Sequence, residues 1–142
     1  MAVATGRIGY VYLVGDQLKD WGLSRKASRS SKLAAAQAER WTGDLNPDIV
    51  VTEKVSLQST KSAKTRSLIA AIQVVTAQAN VLDMFVTHNS EFRNKYEEAK
   101  HLAERFPEIA AWVPRARRIW EPEPKNTVLF EALAMATVII DG

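Results

Sequence analysis

The residue best placed to do chemistry in this sequence is Glu53, which closes the run Asn46-Pro47-Asp48-Ile49-Val50-Val51-Thr52-Glu53. Ile49, Val50 and Val51 are too few for a helix and too uniformly β-branched for a half-exposed edge, so they predict a buried strand. A carboxylate at the C-terminal tip of such a strand is costly unless it is paired or holds a cation, and strand tips are where open α/β sheets place their sites. The alternative is that Glu53 has left the sheet and faces water. The chain has no cysteine, so any metal must be held by carboxylates or by His88 and His101, which points to a hard cation. His88 follows a predicted strand and could polarise a water or contact phosphate, with a capping or surface placement as the alternative. His101 sits among charged neighbours on a predicted helix and is expected to be solvated.

Basic residues form the second candidate set. Nineteen Lys and Arg against sixteen Asp and Glu leave a net charge of only +3, yet the cations cluster. The clusters are Arg25, Lys26, Arg29 and Lys32; Lys54, Lys61, Lys64 and Arg66; and Arg115, Arg117 and Arg118. Such clustering, with a pI near 9.3, suggests a polyanionic partner. Lys61, Lys64 and Arg66 fall at a predicted helix start, where the helix dipole disfavours cations. A bound anion would explain them, because free backbone N–H groups beside lysines make a phosphate seat. Solvated charge is the alternative.

The elements that must hold these residues can be read in order. Arg7 to Val14 is β-branched and aromatic, Gly15-Asp16 is a turn signal, and Gln17 to Arg25 returns as a second strand, giving a hairpin with Trp21 on one face. Ser28, Ser30 and Ser31 offer caps for a helix that ends near Gly43. The Glu53 strand follows, then a helix from about Ser62 to Gln78 marked by Leu68, Ile69, Ile72, Val75 and Ala79. Val81 to Val86 is another strand, broken in its apolar pattern by Asp83. Ser90 is expected to cap a helix carrying Phe92, Tyr96, Ala99, Ala103 and Phe106, and Pro107 and Pro114 bound a short turn. Pro122 and Pro124 deliver the chain to a last helix, about Asn126 to Ile139.

This order predicts an α/β fold with a mixed sheet, an antiparallel hairpin plus parallel strands, flanked by helices. The 142 residues, 46% of them hydrophobic, fit a single domain over 1–142. The start carries no apolar stretch long enough for a signal peptide and no window approaches a membrane span, so a soluble, cytoplasmic protein with no membrane partner is expected.

Several stretches together resemble the RuvC family of Holliday junction resolvases within the ribonuclease H-like superfamily. They are Gly9-Tyr10, the Pro47 to Glu53 strand, the Lys64 to Ile72 helix, Lys95-Tyr96-Glu97 leading into Ala103-Glu104-Arg105-Phe106-Pro107, and Trp120 through Glu131-Ala132-Leu133-Ala134. The resemblance implies a ribonuclease H-like sheet and a nuclease whose carboxylates bind two Mg²⁺ ions, with Mn²⁺ as a substitute. In-line displacement at a phosphodiester uses one ion to generate hydroxide and another to stabilise the leaving oxygen. Carried over, Glu53 is the strand-end ligand, Glu131 the ligand on the last helix and Glu123 an acid in the loop before it, with Trp120 an aromatic beside it. Glu131 is surrounded by Phe130, Ala132, Leu133, Ala134 and Val138, which leaves little polar face for a solvated glutamate.

The departures set further expectations. The first-strand aspartate of the family falls on Ala2, so the N-terminal strand is expected to be truncated or degenerate, or else Asp16 or Asp83 substitutes. Val128 stands where many resolvases have another acid. The expected function is therefore a RuvC-like, metal-dependent endonuclease acting on branched or structured DNA. Glu53, Glu131 and Glu123 are its catalytic acids, Glu53 and Glu131 its metal ligands, and Lys61, Lys64, Arg66, Arg115, Arg117, Arg118 and Trp120 its DNA contacts. Trp112 and Trp120 flank the arginines and could stack on unpaired bases. A homodimer is implied by two symmetric cuts, and no small-molecule cofactor is expected. The alternatives are a catalytically inactive ribonuclease H-like nucleic-acid-binding protein and a structural or assembly subunit.

Overall fold

In a computed structural model the described residues are 1–55, 61–87, 92, 94–115, 124 and 126–142. The chain is α/β, as its alternation of β-branched and helical stretches dictates. Three strands come first: β1 (Ala2–Ala4), β2 (Arg7–Val14) and β3 (Gln17–Ser24). They form an antiparallel sheet in that order. Gly6 at φ 82 and Gly15 at φ 62 take the left-handed backbone that the two tight turns require.

Helix α1 (Ser31–Leu45) begins at Ser30, whose hydroxyl accepts from the Leu33 N–H, and ends at Asn46 in the left-handed conformation. It thus runs past Gly43, because the αL cap falls at Asn46, just before Pro47. Strand β4 (Ile49–Glu53) and strand β5 (Leu82–Val86) pair in parallel, joined by α2 (Ala63–Gln78). Two further helices, α3 (Lys95–Arg105) and α4 (Thr127–Asp141), complete the fold, with a 3-10 helix over Pro107–Trp112 between them.

Strand β4 is not uniformly buried as its sequence suggests. Val50 and Thr52 are sealed in, whereas Ile49 is 42% exposed. The reason lies in its pairing: β5 covers one edge, and along the other a groove of about 390 Å³ separates β4 from residues 10–14 of β2. Trp41 and Leu45 of α1 and Ala132, Ala136 and Ile139 of α4 help to line it. The short β1 bridges the gap, and there the Met1 backbone nitrogen donates to the Val51 carbonyl at 2.8 Å.

Helix α4 is the apolar centre of the fold. Its Leu129, Phe130 and Leu133 pack with Ala99, Leu102 and Phe106 of and beside α3, while Val128, Ala132 and Met135 pack on Ala2, Ala4 and Val86. Burying such side chains contributes about 1.5–3 kcal/mol each. This burial fixes α4 across both sets of strands and so sets where Glu131 points.

Candidate functional site

Glu53 ends β4, and Gln73 of α2 holds that end in place by donating from Nε2 to the Glu53 carbonyl at 2.9 Å and to Thr52 Oγ1 at 3.2 Å. Glu131 lies in the second turn of α4. The chain that enters α4 is tied down by Arg7, whose guanidinium donates to the Pro124 carbonyl at 3.2 Å and to the Thr5 carbonyl at 2.9 Å. The two glutamates, far apart in sequence, converge on one nitrogen.

That nitrogen is Nζ of Lys61. It lies 3.0 Å from Glu53 Oε2 and 3.9 Å from Glu131 Oε2, and it donates to the Val3 carbonyl at 2.8 Å. The Oε2 atoms of both glutamates are shielded from solvent. A buried carboxylate oxygen requires a positive partner, and a half-buried ammonium supplies it. The placement also explains why Lys61 can sit beside a helix N-terminus, since carboxylates of the protein itself face it there. Lys61 is therefore turned onto the acids. Lys64, in the first turn of α2, is exposed, Arg66 is half-exposed, and Arg115 is exposed just after Pro114.

Ala2 and Ala4 put methyl groups, not acids, into the apolar cluster with Val128 and Ala132. Val128 is fully buried, so an acid there would be desolvated. Neither proposed substitute joins the pair. Asp16 is exposed in the β2–β3 turn, and Asp83 accepts from the Thr76 hydroxyl at 3.0 Å on the α2 side of β5. Exposed His101 packs on the Phe92 ring, with centroids 4.9 Å apart. Trp112 meets Trp21 edge to face at 6.5 Å, and Tyr10 packs against Trp41 with the rings tilted by 53° and their centroids 4.7 Å apart. Glu123, Arg117, Arg118, Trp120 and His88 lie outside the described residues.

Sequence reasoning missed the Val3 carbonyl, Gln73 and Arg7. A backbone oxygen carries no sequence signal, and the other two look like ordinary polar positions until the tertiary contacts are known. Lys61 was visible, but as a phosphate contact.

Two carboxylates and a carbonyl are hard oxygen donors of the kind that Mg²⁺ or Mn²⁺ takes, so Glu53, Glu131 and the Val3 carbonyl are the groups that would hold one ion. Two ions about 3.5–4 Å apart do not fit these donors. Among the described residues no group of three or more His, Asp or Glu side chains is gathered to hold a metal, and Lys61 already brings one positive charge. Also among the described residues, no helix is long and apolar enough to cross a membrane. No family model, no curated protein and no solved structure matches this chain.

Proposed function

We propose that this protein is a RuvC-like endonuclease that binds branched or structured DNA and hydrolyses a phosphodiester at Glu53 and Glu131 with a divalent cation, Mg²⁺ or Mn²⁺. The observation that carries this reading is the convergence of a strand-tip and a helix glutamate, both with shielded oxygens, at one cationic point. Carboxylate oxygens withdrawn from water are costly unless they are paired or hold a cation, and here both are gathered at one point. When bound, the ion would polarise a phosphate oxygen. Glu53 and Glu131 would hold it, Gln73 would keep the β4 tip rigid, and Arg7 would fix the approach to α4. Exposed Lys64 and Arg115 and half-exposed Arg66 would meet the DNA backbone, joined by Arg117, Arg118 and Trp120, with Glu123 as a further acid. The same reading carries a homodimer and a cytoplasmic site of action.

The test is cleavage of a four-way DNA junction by purified protein in Mg²⁺ or Mn²⁺. Glu53→Gln and Glu131→Gln are each expected to slow cutting roughly 100-fold or more, a loss of about 3 kcal/mol of transition-state stabilisation. Junction binding and its salt dependence should change little. A second reading, a ribonuclease H-like domain that binds DNA without cutting it, is favoured by the methyls of Ala2 and Ala4 and by the ammonium between the acids. Salt-sensitive junction binding with no cutting in either metal would select it, and no binding at low salt would defeat both.

A further inference from the structure

We infer that Lys61 is the resident cation of the Glu53–Glu131 pair, and that a divalent ion enters this centre only by displacing it. The inference rests on the pair being a cation site, as proposed above, and concerns what the site already holds. Three oxygens from three elements face one ammonium: the Val3 carbonyl of β1 at 2.8 Å, Glu53 Oε2 of β4 at 3.0 Å and Glu131 Oε2 of α4 at 3.9 Å. An ammonium has three donors and no acceptor, so this cage suits it as it would suit a hard metal.

The same oxygens cannot serve both. A divalent ion takes its oxygen ligands at about 2.0–2.6 Å, which would set it against a like charge already in contact with two of the three donors. Nor is the charge balance of the described residues short of a cation in the way two bare carboxylates would be. Lys61 offsets one negative charge and holds the two acids, which would otherwise repel, in one place. Its side chains are placed for exchange: Lys61 is 23% exposed and the glutamates 22% and 26%, so a flexible four-carbon stem can swing its head to water without unpacking the core.

Removing the resident charge should therefore expose a better metal site. The experiment titrates Mn²⁺ into the full chain, following free Mn²⁺ by electron paramagnetic resonance, with the wild type, Lys61→Met and Lys61→Gln. Methionine keeps the stem without the charge, and glutamine retains a donor for the Val3 carbonyl. Circular dichroism reports folding of each variant. Both variants are expected to bind one Mn²⁺ about tenfold or more tightly than the wild type, the scale of removing a like charge at such short range. Adding Glu131→Gln to Lys61→Met should abolish the gain. If folded Lys61→Met and Lys61→Gln bind Mn²⁺ no more tightly than a wild type that does bind it, Lys61 is no competitor and the inference falls while the cation site stands. If no folded form binds Mn²⁺, the cation site itself is refuted and the inference with it.

Discussion

A methyl group on Gly9 would lie 2.9 Å from Cγ1 of Val128 and 3.4 Å from Cδ2 of Leu129. Both neighbours are fully buried on α4, and a valine branch has nowhere to swing. Gly9→Ala is therefore expected to destabilise the protein by about 1–3 kcal/mol, through overpacking, in a denaturant titration. Because the clash would lift α4, the variant should also weaken the convergence of Glu131 with Glu53. The next residue along β2, Tyr10, donates to Asp20 Oδ2 at 2.8 Å. Burial first, then the hydrogen bond and charge of Asp20, push the phenol from its ordinary value near 10 up to about 12. The neutral form is thus favoured by folding, so the stability Tyr10 contributes is present in full below pH 10 and is lost as pH rises towards 12. Ultraviolet titration of the phenolate checks this, and Asp20→Asn should move the transition back towards lower pH.

At the scale of elements, what was legible was local. Ser62 accepts from the Thr65 N–H and starts α2, as its position ahead of the Leu68, Ile69 and Ile72 stripe predicts. The cap of α3 was misplaced. It is Asn94, not Ser90, whose side chain accepts from both Tyr96 and Glu97 N–H groups, and a polar stretch with several capping residues gives no local basis for choosing among them. Asn94→Ala is expected to cost about 1 kcal/mol, measured as a shift in the denaturation midpoint. Strand β1 was seen only as the remnant of a lost strand, because Ala2, Val3 and Ala4 are too few to show a period. What makes them a strand is Gly6, which turns the chain back so that Ala4 meets Arg7. For the site, Glu53 and Glu131 were legible as acids in apolar surroundings. The ion pair that joins them through Lys61 was not, since it depends on how α4, β4 and β1 meet in space.

For the whole molecule, the antiparallel set β1–β3 and the parallel pair β4–β5 are two separately hydrogen-bonded rafts. Among the described residues the antiparallel pairing of β1 with β2 stops at Gly9, and the groove beyond it is lined by side chains of α1 and α4. Such a seam divides the molecule into units that can open separately, with less free energy than global unfolding requires. Native-state hydrogen exchange should show it. Along residues 10–14, amides that face β3 should be strongly protected and their alternate neighbours, facing the groove, should exchange rapidly. Uniform protection would mean that the edge is covered in solution. If the seam opens as drawn, Glu53 rides on one raft and the Val3 carbonyl on the other. The grip on Lys61 would then loosen each time the rafts part, and the breathing of the sheet would set how often that lysine can let go.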